Sequence, residues 1–369
     1  AIALVFRAPK SYTGEDVVEL SVHGGIFIVE KTLEAVFAAG ASPAEAGEFT
    51  KRAFLNGKMD LTQAEAVASL ISANGQESAK ASFNLLQGSL SDKISNILDK
   101  IVSLSASMAA WVDYPDEEIP ELDESTLKST LTSALNELKN LLDNYESGMI
   151  MTQGVNTVIA GRPNAGKSTL MNMLSGKEKS IVTHIEGTTR DIVENSVRLG
   201  TLVLHLSDTA GLRESDDVVE AIGIKKALER IDTSSLVLAV FDSSRELDGD
   251  DKMLIDACKG KKAVAVINKT DLSPAIDTEE IENNFESSVY ISAKNNTGLK
   301  ELENAVKNIL GVEEFDSSAP LIANQRQKLC IQKAYENISE ALSAAELGLT
   351  YDAVNVMIDS AVDELLALT

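Results

Sequence analysis

Eight consecutive residues, Gly161-Arg162-Pro163-Asn164-Ala165-Gly166-Lys167-Ser168, place glycine, lysine and hydroxyl at the spacing G-x-x-x-x-G-K-[ST]. That spacing suits a polyphosphate. The glycines let the backbone curl so that its N–H groups face an anion at a helix N-terminus. The lysine neutralises β- and γ-phosphate charge, and the hydroxyl, followed here by Thr169, binds Mg²⁺. Three more elements follow in order: Asp208-Thr209-Ala210-Gly211, Asn268-Lys269-Thr270-Asp271 and Ser292-Ala293-Lys294. One such motif says little by itself. Four in this order imply a guanine-nucleotide switch and a GTP-hydrolysing enzyme.

Each element has a chemical reason. An ionised Asp271 only accepts hydrogen bonds, and guanine offers two donors on one edge, N1–H and the 2-amino group, where adenine has a bare nitrogen. A carboxylate there selects guanine. Ser292-Ala293-Lys294 would back the base with a main-chain amide. Between phosphate loop and base loop, Gly187-Thr188-Thr189-Arg190-Asp191 supplies Thr189 as a second hydroxyl for Mg²⁺, while Asp208 would hold the metal through a water. The Gly211 N–H can reach the γ-phosphate, so that loss of that phosphate releases both segments. Leu212 is the informative departure, because a glutamine in that place orients the attacking water in Ras-type enzymes. Leucine cannot. Arg190, Arg213, Glu214 and Glu220 are nearby candidates for the missing role, and the residues alone do not choose among them.

The elements that position these groups are legible from apolar pattern. Val155 to Ala160 reads as a buried parallel strand, and Ser168 to Leu174 as the helix after the loop. Leu202 to Leu206, Ala263 to Ile267 and Ser288 to Ile291 read as further strands ending where α/β sheets bind ligands. From Leu61 to Ser147 the chain reads as helix. One apolar stripe runs through Ile94, Ile97, Leu98, Ile101, Leu104 and Met108, and another through Leu127, Leu131, Leu135, Leu138, Leu142 and Tyr145. The proline-broken acidic stretch Asp113 to Pro120 separates them. Asn324 to Leu368 is helical again, with Leu329, Lys333 and Glu336 followed by Ile338 and Leu342. Stripes on both sides of the nucleotide domain imply one helical bundle with that domain inserted into it. The first sixty residues are a small α/β piece with strand-like Ile2 to Phe6 and Val17 to Val22. It starts abruptly inside a strand, as if the true N-terminus were missing.

Composition sets outer limits. With 57 acidic against 33 basic residues, a net charge of −24 argues against nucleic-acid binding by general electrostatics, though not against a local basic patch. Two cysteines, Cys258 and Cys330, in 369 residues point to a reducing compartment. No signal peptide and no run long enough to span a bilayer stand out, so the expected location is cytoplasmic, with no membrane partner.

Longer motifs outside the generic set carry a family resemblance. They are Ser11-Tyr12-Thr13-Gly14-Glu15-Asp16-Val17-Val18-Glu19, His23-Gly24-Gly25, Gly47-Glu48-Phe49-Thr50-Lys51-Arg52 through Lys58, and Asp60-Leu61-Thr62-Gln63-Ala64-Glu65-Ala66. With the wording of the nucleotide motifs, the chain resembles the MnmE (TrmE) family of tRNA-modification GTPases along nearly its whole length. The resemblance implies modification at carbon 5 of the wobble uridine of certain tRNAs, with an FAD-dependent partner of the MnmG (GidA) kind. It implies a folate one-carbon donor, 5-formyltetrahydrofolate or a related folate, and a constitutive homodimer whose G domains meet during turnover. K⁺ near the γ-phosphate would replace an arginine finger, held by Asn164, Thr183, Ile185 and Thr188, with Thr183 and Thr188 also counted in the GTP site. Glu220 would orient the attacking water, and Arg190 would position Glu220. Glu19 and Lys58 match the folate-contacting positions.

The organisation implied is a folate-binding and dimerisation domain over 1–58, a helical domain over 59–150 and 312–369, and a Ras-like G domain over 151–311. Two departures enter as expectations. The family's N-terminal segment with a folate-binding arginine, and its Cys-x-Gly-Lys tail, have no counterpart here, which leaves GTP chemistry expected and modification chemistry in doubt. The competing readings are a ribosome-assembly GTPase of the Era or EngA kind and a GTP-dependent assembly module without useful hydrolysis. Era and EngA relatives carry a compact basic RNA-binding domain or a second G domain, and neither is visible in this chain.

Overall fold

The computed structural model describes residues 1–73, 75–113, 123–176, 196–206, 230–313 and 315–369. They fall into two compact units, one of 1–72, 82–143 and 319–369, the other of 73–81 and 144–318.

The first unit opens with strands β1 (Ile2–Phe6) and β2 (Val17–Ser21), paired antiparallel with Leu4 opposite Glu19. Helices α1 (Ile26–Ala38) and α2 (Glu48–Leu55) follow, and α1 buries none of its residues within this chain. The helical part comprises α3 (Leu61–Ile71), α4 (Gln76–Leu86), whose first turn and a half is assigned to the other unit, α5 (Ser89–Asp113) and α6 (Glu124–Asp143). Asp60 starts α3 with a capping box, its carboxylate accepting from the Gln63 N–H while the Gln63 side chain accepts from the Asp60 N–H.

The stripe from Ile94 to Met108 is buried along α5 as its spacing requires. The stripe on α6 is shifted by part of a turn from the sequence reading. Ala134 and Leu141 are buried beside Leu127, Leu131 and Leu138, whereas Leu135 and Leu142 are half-buried. Small Ala134 lets the neighbouring helix approach, so the contact line passes through it and leaves the larger leucines at its margin.

The nucleotide-binding unit begins with α7 (Tyr145–Gln153), which holds Tyr145, so that residue ends no stripe of α6. Then come β3 (Val155–Ala160), α8 (Lys167–Ser175), β4 (Ser196–Leu199), β5 (Leu202–Leu206), β6 (Leu236–Asp242), α9 (Gly249–Cys258), β7 (Ala263–Asn268), α10 (Thr278–Glu282), β8 (Ser287–Tyr290) and α11 (Leu299–Leu310). Among the described residues the sheet has six strands in the order β4-β5-β3-β6-β7-β8, with only β4 antiparallel to its neighbour. Interior strands β6 and β7 are apolar up to their last residues because both faces are covered, while β3 carries Asn156 and Thr157 and β5 carries His205. Leu236, Leu238 and Val240 of β6 face α8 and α11, and Val237, Ala239 and Phe241 face α9. Chain entry and exit lie together: the Ser147 hydroxyl donates to the Gly311 carbonyl at 3.3 Å, and Met151 and Val312 share one core with Phe315.

In the first unit the chain resumes with α12 (Gln325–Glu346) and α13 (Tyr351–Leu366), which pack on each other and respectively on α6 and α5. Here the sequence reading is corrected. The face of α12 turned inward carries Gln327, Ile331, Ala334, Ile338 and Ala341, while Leu329, Lys333 and Glu336 lie on the exposed side. Leu329 is an apolar residue on the outer face, and the small alanines that line the seam carry a weak hydropathic signal.

A nucleotide site assembled at the strand ends

The phosphate loop leaves the centre of the sheet, between β5 and β6. Its two glycines are there for close approach. A Cβ at Gly161 would come within 2.5 Å of the Val240 carbonyl oxygen, and one at Gly166 (φ +99°) within 2.1 Å of the Asn268 Nδ2. Asn164 also takes a left-handed backbone, φ +60°, which asparagine tolerates. The Lys167 ammonium donates to the carbonyls of Gly161 and Arg162, both at 2.7 Å, and burial pushes it below its ordinary pKa. A phosphate beside it would restore the charged form, which is what an anion site needs. Ala165 is buried, while the side chains of Asn164, Ser168 and Thr169 are exposed at the N-terminal end of α8.

The base side is built around Asn268, the last residue of β7 and buried. Its Nδ2 donates to the Ala165 carbonyl at 3.0 Å, and its Oδ1 accepts from the Ala293 N–H at 3.0 Å. One amide therefore joins the phosphate loop to the Ser292-Ala293-Lys294 segment. The Ser292 hydroxyl donates to Asp271 Oδ1 at 2.6 Å and holds that carboxyl below the usual range, keeping it an acceptor. Thr270 is tied by its N–H to the Ile291 carbonyl at 3.2 Å. The exposed carboxylate of Asp271 and the exposed Lys294 border a surface that a purine edge can enter.

Lys269 sits at φ +66°, and its ammonium donates to Asp242 Oδ2 at 2.6 Å. Burial would raise the Asp242 pKa, but Lys269 and Ser244 outweigh it and hold the group low. The sequence reading passed over Asp242. Its signal was position, since it is a charged residue directly following the wholly buried run Leu236 to Phe241, at the sheet edge where ligands bind.

Not every candidate falls within the described residues. Thr183, Ile185, Thr188, Thr189, Arg190, Asp208, Thr209, Ala210, Gly211, Leu212 and Glu220 lie outside them, as does most of the acidic break after Asp113. The two folate candidates are apart from this site in the sequence and do not touch each other among the described residues. Glu19 is exposed on β2. Lys58 donates to the Pro9 carbonyl at 3.0 Å and so braces the β1–β2 connection, which Asn56 also holds through the Thr13 carbonyl at 2.8 Å.

Comparison with known proteins now decides the family. Residues 61–369 match the MnmE helical domain, and residues 1–58 match the GTP-binding protein TrmE N-terminus. The chain belongs to the MnmE family of tRNA-modification GTPases. Relatives include the tRNA modification GTPase MnmE of Clostridioides difficile, 40% identical over 95% of this chain and 77% of its own length. That of Carboxydothermus hydrogenoformans is 41% identical over 99% of this chain and 80% of its own. Among solved structures, Aquifex aeolicus Era bound to GDP·AlF4⁻ is 24% identical over 50% of this chain and 66% of that one, with a TM-score of 0.30. The G domain of the Thermotoga maritima FeoB iron transporter is also 24% identical, over 42% of this chain and 98% of that one, at a TM-score of 0.30. These two likenesses add nothing to the assignment, which rests on the family match. An Era or EngA assignment is not favoured, because the family match takes in the helical region. Among the described residues no helix is long and apolar enough to cross a membrane.

Proposed function

We propose that this chain hydrolyses GTP in a Mg²⁺- and K⁺-dependent cycle that serves modification of tRNA at carbon 5 of the wobble uridine. The observation that carries the nucleotide part is Asn268, whose single amide fixes the phosphate loop and the base segment in one frame. Asp271, pre-oriented by Ser292, accepts from guanine. Lys167 neutralises phosphate charge. Mg²⁺ would be held by Ser168 with Thr189 and Asp208, and the exposed first-turn hydroxyl of Ser168 suits a hard cation. When bound, it offsets charge on the β- and γ-phosphates.

K⁺ would be held by Asn164 with Thr183, Ile185 and Thr188, all through oxygen donors, and would supply the positive charge that an arginine finger provides elsewhere. Asn164 fits that role with an exposed side chain and a turned-out backbone at the loop. Glu220 orients the attacking water, which Leu212 cannot do, and Arg190 positions Glu220. The modification itself would engage an FAD-dependent partner of the MnmG kind, a folate at Glu19 and Lys58, and a homodimer whose G domains meet during turnover, in the cytoplasm.

Turnover in K⁺ against Na⁺ at equal ionic strength tests the catalytic reading, since Na⁺ matches charge but not radius. An increase of about 10³-fold in K⁺ is expected for a charge supplied at the transition state. Equal rates would sink it. Asp271→Asn should shift preference from guanine toward xanthine nucleotides, and unchanged GTP affinity would displace the base from this site. For the tRNA role, mass spectrometry of nucleosides from a deletion strain should show loss of the C5 substituent on the wobble uridine, and an unaltered nucleoside profile would refute it.

A further inference from the structure

Arg162, inside the phosphate loop, carries a side chain with no part in the chemistry above. That side chain is only 16% exposed, and its guanidinium pairs through Nη1 with Asp248 Oδ2 and lies 3.6 Å from Asp251 Oδ2. Both carboxylates are also held by hydrogen bonds at the start of their own helix. Asp248 caps α9, accepting on Oδ1 from the N–H groups of Asp250 at 3.0 Å and Asp251 at 3.2 Å, and the Asp248 N–H donates to Asp251 Oδ2 at 3.2 Å. A helix N-terminus favours one such charge, but two carboxylates in mutual contact repel. Arg162 offsets that repulsion. Arg245, in the β6–α9 connection, acts on both carboxylates and lies 3.9 Å from Asp242, which holds Lys269. Charges thus alternate from the phosphate loop to the guanine loop.

We propose that Arg162 is a positioning residue for nucleotide binding, which sets the phosphate loop by pairing with Asp248 and Asp251 at the N-terminus of α9. The inference rests on the reading of 161–168 as the phosphate site. An exposed ion pair would contribute little. This one is different, because the Asp251 side chain is 5% exposed, and its Oδ1 and the Arg162 Nε find no hydrogen-bond partner among the described residues. Removing Arg162 leaves a buried Asp251 carboxylate beside Asp248 with only Arg245 acting against their repulsion, whereas removing the Asp251 charge leaves Arg162 paired with Asp248 alone. The effect falls on ligand binding because the Arg162 main chain belongs to the loop itself. Its carbonyl accepts from the Lys167 ammonium at 2.7 Å and from the Ala165 N–H at 3.4 Å. Displacing Arg162 therefore displaces the lysine and the amides that meet the phosphates.

The test is a double-mutant cycle on the full chain, read by GDP dissociation constant, by KM and kcat for GTP, and by thermal midpoint. Arg162→Ala and Asp251→Asn should each weaken GDP binding about tenfold and raise KM in parallel, with a smaller change in kcat. The double variant should bind no more weakly than the worse single one. Arg162→Lys, which keeps the charge, should recover most of the affinity, and Lys259→Ala, on the exposed far end of α9, should match the unsubstituted protein. A lowered thermal midpoint with unchanged GDP affinity, or losses that simply add, would overturn the proposal. Failure of the unsubstituted protein to bind GDP would instead overturn the underlying site assignment, so the two failures are distinct.

Discussion

The helical unit and the nucleotide-binding unit use charged side chains in opposite ways. In the first, charge ties helix to helix. Glu137 on α6 accepts from Lys100 at 2.7 Å and from Lys93 on α5, and Glu65 on α3 accepts from Asn324 at 2.9 Å, from Arg326 at 2.7 Å and from Gln327 at 2.7 Å. Arg326 then donates to the carbonyls of Ala367 and Leu368, closing the end of α13. In the second unit, polar side chains bond to the main chain of loops, as Asn268 at the end of β7 does to Ala165 and Ala293 and as Lys167 at the start of α8 does to Gly161 and Arg162. Helices form their own backbone hydrogen bonds, so their side chains are left to set packing. Loops do not, and their shape has to be imposed from neighbouring elements. Substitutions in the first unit should therefore register as stability, and those in the second as ligand affinity.

Asn268→Ala should give the largest effect and breaks the contrast most directly if it fails. It removes two hydrogen bonds at once and leaves a buried carbonyl and a buried N–H without partners, each costing about 1–3 kcal/mol. GDP affinity is expected to fall at least about 100-fold. Isothermal titration measures it, and a loss below about threefold would mean that the loops hold themselves.

Ile338→Ala is the counterpart in the other unit. Ile338 is fully buried on α12, and its truncation should cost about 2–4 kcal/mol by lost transfer energy and a residual cavity. Chemical denaturation should show that loss while KM for GTP stays within about twofold. A KM that rose in step with the lost stability would erase the distinction between the units.

How far the sequence could be read follows the same division. Of the interior strands, β3, β5 and β7 were legible in the sequence, whereas β6, the most completely buried, was not read. An unbroken apolar run marks a strand covered on both faces, as at Ala263 to Ile267, and the ligand motif follows at its end. The guanine contact proposed for Asp271 comes from chemistry, since a carboxylate fits one base edge, and the structure adds the Ser292 hydroxyl that orients that carboxylate. Arg162 and the double role of Asn268 were not legible, because their partners are 86 and 103 residues distant and no local spacing encodes them, and Asp242 was marked only by its place after the buried run Leu236 to Phe241. On α12 the period was right and the phase was wrong. The buried seam there is lined with alanine at 334, 341, 344 and 345, whose weak hydropathy lets an exposed leucine set the apparent stripe.

Acid stability offers a smaller, sharper test on the charge that joins helices. Burial alone would raise the Glu137 pKa, but Lys100 and Lys93 outweigh it and bring the carboxyl from 4.5 to about 2. With the folded value below the unfolded one, the unfolded chain binds more protons between these pH values, so stability rises with pH through that window. The contribution is complete above about pH 4.5 and is lost as pH falls toward 2. Glu137→Gln should flatten this part of the acid unfolding curve while leaving its neutral limb parallel. An unchanged slope between pH 4.5 and 2 would assign the acid sensitivity to other carboxylates.

The smallest expected effect checks the corrected phase of α12. Leu329 is 52% exposed, whereas Ile331, two residues on, is fully buried. Two positions on a helix are separated by about 200°, so one residue faces out when the other faces in. Leu329→Gln removes little buried surface and keeps good helix propensity, and should change stability by less than about 0.5 kcal/mol. Ile331→Gln would place an amide in the seam between helices, and its cost should exceed that of Leu329→Gln several-fold. Denaturation midpoints of the two variants, taken at one slope, compare them directly. If Leu329→Gln were the costlier change, then Leu329 is covered in the working protein, and the face carrying Leu329, Lys333 and Glu336 would be a contact surface rather than a solvated one.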